Sequence, residues 1–153
     1  MYRNIMVAFD DSEPSKTALV HAARLARALG ASLRVAYVEV DPALYFPLMA
    51  AALPSVAEVR NAQSAETLAV REAALNLLAR EGVVADFRAL PLVDSHMHIA
   101  DRLLSEAKHV GADLVVTGTH GRQGLARLTL GSEANRVLQH ADLPVLVVKS
   151  ACP

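Results

Sequence analysis

Apolar and polar positions follow two rhythms along this chain. Short apolar runs of strand length recur, and between them lie longer stretches in which apolar residues return every three or four positions. Asn4–Asp10 is an apolar run closed by a carboxylate and reads as a buried strand. Ser12, Glu13 and Pro14 then signal a helix start, because proline is tolerated in a first turn. Ala18, Ala22, Leu25 and Leu29 share one face of that helix, and Gly30 supplies a left-handed stop. Leu33–Val40 reads as a second strand, ended by Asp41-Pro42. Ser55–Glu81 is helix-forming, with Leu68, Leu75 and Leu78 on one side and Gly82 at its end. The pattern continues with a strand over Val83–Leu92 and a helix over Ile99–Val110 that stops at Gly111, its inward side being Leu103, Leu104 and Ala107. A strand over Asp113–Gly118, a helix over Ser132–His140 and a strand over Pro144–Lys149 complete it.

The order is thus βαβαβαβαβ. Strands joined by right-handed helical crossovers lie parallel, so the expected fold is α/β: a three-layer, five-stranded parallel sheet with helices on both faces, Rossmann-like. No internal repeat or linker divides residues 1–153, which are expected to form one domain. In such a sheet a ligand sits beyond the carboxyl ends of the strands, where strand order reverses. Asp10, Val38–Val40 and Gly118 occupy those ends. Between Pro42 and Pro54 three prolines punctuate an apolar stretch, which reads as a loop or lid. Its Tyr45, Phe46, Leu48 and Met49 suit a lid, a partner-binding patch or packing on the sheet edge.

Composition narrows the function classes. With 53% hydrophobic and 20% charged residues the chain is expected to be globular, and no apolar run approaches the length of a membrane span. A net charge of −1 provides no basic field for nucleic acid. The start of the chain lacks the pattern of a secretory signal, and one cysteine, Cys152, cannot form an internal disulfide framework. A cytoplasmic protein is expected.

The chemistry is concentrated between the fourth strand and the fourth helix, in Gly118-Thr119-His120-Gly121-Arg122-Gln123-Gly124 and then Gly131-Ser132-Glu133. Glycine lets backbone N–H groups approach phosphate oxygens, since no Cβ intervenes. Gly131-Ser132 opens a helix whose unpaired amides and dipole favour an anion. The Ser132 hydroxyl suits a cap or a phosphate contact, while Arg122 and Arg127 suit added positive charge or plain solvation. His120 suits a phosphate contact or the fixing of the turn, and the turn is the preferred reading.

This stretch resembles the nucleotide-binding pattern of the universal stress protein family: glycine, two residues, glycine, nine residues, then glycine with serine or threonine. Gly118, Gly121, Gly131 and Ser132 match it in full. The likeness extends to Val7-Ala8-Phe9-Asp10, to the Asp11-Ser12 helix start and to Leu143–Val148. It implies an ATP-binding regulatory protein of stress response with little turnover and no catalytic residue. Gly118, Gly121, Gly131 and Ser132 would contact the triphosphate, and Arg122 and Glu133, in the same loop and helix start, would belong to the same ATP-binding set. Asp10 would lie near ribose and phosphates, directly or through Mg²⁺ or Mn²⁺, and Ala8 and Phe9 by the nucleoside. The Val38 backbone would read the adenine edge. A homodimer through Pro144–Lys149 and an unknown regulatory partner are also implied. The family usually places a glycine, and two residues later a proline, before the third helix; here Met97 and Ile99 stand there.

Other readings compete. A slow ATPase or an adenylate-transferring enzyme on the same fold is one, and a nucleotide-free interaction module using Tyr45–Leu53 is another. Neither a P-loop lysine nor the glycines of a dinucleotide fingerprint are present. Asp10 alternatively only caps the first helix. Asp94, His96 and His98 alternate as metal ligands sometimes do, yet no fourth ligand is evident, and a solvated loop is the preferred reading. His21, His109 and His140 are expected on helix surfaces without partners.

Overall fold

A computed structural model of the chain describes residues 1–40, 56–94, 96–120 and 132–150. Ile5, Met6 and Val7 are fully buried within β1 (Asn4–Ala8), as a strand covered on both faces requires. Ser12 has extended backbone and accepts the Ser15 amide at 3.4 Å, capping α1 (Glu13–Leu29) with Pro14 in its first turn. Gly30 closes that helix at φ +64°, a conformation that a side chain would strain. There follow β2 (Ser32–Val40), α2 (Val56–Glu81), β3 (Asp86–Leu92), α3 (Ile99–His109), β4 (Leu114–His120), α4 (Ser132–His140) and β5 (Val145–Ser150).

The five strands form one parallel sheet in the order β3-β2-β1-β4-β5. Alternation along β1 sends Ile5, Val7 and Phe9 to a core shared with α1 and α2, while Met6 joins α3 and α4 on the other face. The doubly wound, three-layer architecture expected from the sequence is therefore the observed one. Winding runs outward from β1 to β3 on one face, then crosses to β4 and β5 on the other. The reversal falls between β1 and β4.

Two expectations about packing change. Leu68 and Leu75 of α2 are 57% and 40% exposed, and the helix turns Val70, Ala74 and Leu78 inward instead. A helix advances about 100° per residue, so Leu68 stands roughly 200° from Val70, on the outer side. His140 is not without a partner: its Nδ1 lies 3.4 Å from Asp101 Oδ1. The Pro42–Pro54 segment, with Tyr45, Phe46, Leu48 and Met49, lies outside the described residues, as does Cys152. Among the described residues no helix is long and apolar enough to cross a membrane.

Candidate functional site

Pairing between β1 and β4 stops at Val7–Val116, whereas β4 continues alongside β5 as far as His120–Ser150. Past Val7 the two central strands part, and a cleft of about 270 Å³ opens at their carboxyl ends. Ala8, Thr117 and Gly118 lie at the point of parting. The first turns of α1 and α4 flank it through Ser12, Pro14, Ser132 and Glu133. Val38 of β2, with Ile99 and Leu103 of α3, forms an apolar side, while Tyr37 lines the cleft from the α1 face of the sheet.

Gly118 has a nearer partner than any ligand. A Cβ built there would lie 2.2 Å from the Pro14 carbonyl oxygen and 2.4 Å from its carbon, closer than atoms can pack. The missing side chain lets the start of α1 rest directly on β4, which carries that helix terminus to the rim of the cleft. Gly118 also lines the cleft, but its demand for glycine comes from packing.

Asp10 follows β1. Its Oδ1 accepts from the Ser12 hydroxyl at 2.6 Å and the Ser12 amide at 3.1 Å, while its own amide donates to Ser15 Oγ at 3.3 Å. Burial raises its carboxyl pKa, yet hydrogen bonding by Ser12 and Ser15 outweighs this and holds it below the ordinary value. Asp10 is thus an ionised carboxylate at the cleft. Ser12, rather than Asp10, caps α1. Asp11, next in the chain, takes a left-handed φ of +63°, a conformation aspartate tolerates better than most residues.

The sheet edge inside the cleft is open on one side. The Phe9 amide donates to Ala36 O at 3.0 Å, so the Ala36 backbone faces β1. Two residues further the Val38 backbone points the same way, past the end of β1. The Val38 side chain is buried toward α3, and Phe9 is buried in the α1 face of the core.

Glu133 is already engaged. Its Oε2 accepts the Ala100 amide of α3 at 2.9 Å. Ser132, the first residue of α4, is exposed. Gly121, Arg122, Arg127 and Gly131 lie outside the described residues. Of the two residues that depart from the family pattern, Met97 packs partly buried on the α3 face of the core, and Ile99 lines the cleft. Asp94 Oδ1 accepts the His96 amide at 2.8 Å in a local turn, and His98 precedes α3 without a side-chain cap. Among the described residues no group of three His, Cys, Asp or Glu is placed to hold a metal ion.

Tyr37, Thr117 and Thr119 also line the cleft, although residue type and spacing assign them no role. Tyr37 is buried with its hydroxyl donated to Glu66 Oε1 at 3.2 Å, and burial first, then the charges of Glu66, Glu39 and Asp10, pushes its pKa up to about 12. Thr117 and Thr119 are buried hydroxyl residues in β4, beyond its apolar start at Leu114–Val116. Polar residues at the ligand end of a buried strand were the available signal.

Comparison with known proteins gives the family and bears out the fold. The chain matches the model of the universal stress protein family over residues 1–149. It is 30% identical over 153 residues to universal stress protein YxiE of Bacillus subtilis, covering 97% of this chain and 100% of that one. A universal stress protein solved in complex with cAMP superposes with a TM-score of 0.71 at 22% identity, covering 98% of this chain and 99% of the other. One from Archaeoglobus fulgidus in complex with dAMP gives 0.63 at 24% identity, over 97% and 98% of the two chains. A match that runs almost end to end, on a sheet wound in this order, means that the chain belongs to the universal stress protein family.

Proposed function

We propose that this protein holds ATP in the cleft between β1 and β4, as a cytoplasmic regulator of stress response with little turnover of its own. The observation that carries the reading is the convergence of two helix N-termini, α1 and α4, on strand ends that have parted. Helix N-termini offer unpaired amides and positive dipole ends to phosphates. The open Val38 backbone offers a donor and an acceptor to an adenine edge, with Ala8 and Phe9 beside the nucleoside. Gly121, Arg122, Gly131 and Ser132 complete the phosphate side in this reading. Adenine nucleotides bound to the two superposed proteins support the ligand class.

Both charged side chains that line the described cleft, Asp10 and Glu133, are acidic. A triphosphate beside ionised Asp10 calls for a cation between them, and a carboxylate oxygen suits a hard ion such as Mg²⁺ or Mn²⁺. Asp10 would hold it through Oδ2, because Oδ1 is occupied by Ser12. Such an ion screens phosphate charge. Carboxylates committed to Ser12 and Ala100 are poorly placed to activate water, which favours a holding role over a hydrolytic one.

Calorimetry with ATP and Mg²⁺ tests the reading, alongside mass spectrometry of ligand released from the purified protein. Gly121→Val should abolish binding and leave the fold intact, whereas undiminished affinity would reject the phosphate loop. Rapid single-turnover hydrolysis would replace this function with the enzymatic one. We also place a homodimer contact on Pro144–Lys149, since β5 is an open sheet edge with Leu146 38% exposed. Light scattering should read twice the chain mass for the wild type and the single mass for Leu146→Asp.

A further inference from the structure

Three features meet where α3 and α4 begin. His98, which precedes α3, gives that helix no side-chain cap, and the bond to the Ala100 amide comes from Glu133, thirty-three positions on in sequence. Asp101, in the first turn of α3, returns the link. It accepts from Arg136 of α4 at 2.9 Å through Nη2 and 3.3 Å through Nε, and His140 Nδ1 adds a contact at 3.4 Å. The Arg136 hydrogen bonds are the main cause that holds the Asp101 carboxyl below its ordinary pKa. Each helix therefore supplies an acid that the other one's start or side chain binds.

We propose that Glu133 is a positioning residue of the cleft, a strut that fixes the first turn of α4 by anchoring it to the start of α3. Ser132, whose amide and hydroxyl face the phosphate side in the proposed function, is its chain neighbour. Ile99, next to the anchored Ala100, lines the cleft from the opposite helix. Where the α4 terminus stands is thus tied to a bond made within the protein, between Glu133 and the start of α3. The carboxylate satisfies a donor that would otherwise be orphaned at the α3 terminus. The Asp101–Arg136 pair, partly exposed, adds a second and weaker tie between the two helices.

The test compares Glu133→Ala with Glu133→Gln in the full chain. Glutamine keeps a carbonyl oxygen for the Ala100 amide and loses only the charge, whereas alanine loses the bond. In the ligand-free protein, exchange of the Ala100 amide in α3 and of the first hydrogen-bonded amides of α4, from Arg136 on, should quicken in Glu133→Ala and return to wild-type rates in Glu133→Gln. Faster exchange confined to α3 would overturn the strut. This arm needs no nucleotide and stands apart from the proposed function, on which the second arm rests. There, ATP affinity should fall by about five- to tenfold in Glu133→Ala, as expected of a lost cap, and recover in Glu133→Gln. Tighter binding by Glu133→Ala would mean that the carboxylate merely repels phosphate, and loss in both variants would mean that its charge acts directly; either result refutes positioning. A wild-type chain that ignores ATP would sink the function while the exchange pattern still decides the strut.

Discussion

A methyl group added at Gly118 would meet the backbone of Pro14, which no rotamer change can move aside. Gly118→Ala is therefore expected to lower stability by about 3 kcal/mol, at the upper end for overpacked sites, with a urea midpoint to match. The glycine itself was legible as one of the spaced glycines around the loop. Its reason was not, because spacing along a chain does not name what approaches from elsewhere in the fold. Asp10 shows the same limit. Its acidity and place at the strand end could be read directly, while its division of labour with Ser12 and Ser15 depends on a left-handed turn at Asp11 that no residue pattern announces.

Among the elements, α2 separates what periodicity can and cannot decide. Its existence and its end before Gly82 followed from composition, yet the choice of inner face did not, because its many alanines leave several faces equally apolar. The three leucines suggested one face, and packing on the sheet selected Val70, Ala74 and Leu78. Leu78→Ala should accordingly cost about 2–5 kcal/mol, while Leu68→Lys should change stability by no more than about 0.5 kcal/mol. Chemical denaturation of the two variants compares these directly; a large loss for Leu68→Lys would contradict the assigned face. The bond from Glu133 to α3 was invisible for another reason, since helix pairing across a sheet face is a product of the winding order.

For the whole molecule, alternation of strands and helices was enough to give a parallel sheet and the ends at which to look for a site. The position of the reversal had to come from the structure. Titration is another property of the assembled fold. Tyr37 has its pKa raised to about 12 by burial and by neighbouring carboxylates, against about 10 for a free tyrosine. The folded state therefore holds this proton more tightly, so the associated stability is complete below about pH 10 and is lost as pH rises toward 12. Absorbance titration should show the Tyr37 hydroxyl ionising late, and Tyr37→Phe should remove both that step and the matching alkaline fall in stability. At the acid end the sign reverses. Asp10, Asp101 and Asp113 have lowered pKa values, so their contribution is present above the ordinary carboxylate range and fades as pH falls through their folded values.

The separation of β1 from β4 after Val7–Val116 carries a mechanical consequence. Helices α1 and α2 lie on one side of the sheet and α3 and α4 on the other, and both layers send residues to that seam. Whatever lodges there acts as a splint across the two oppositely wound halves. Its binding energy is added to the cooperative melting of the entire sheet, not to one layer, in proportion to the logarithm of its concentration over its dissociation constant.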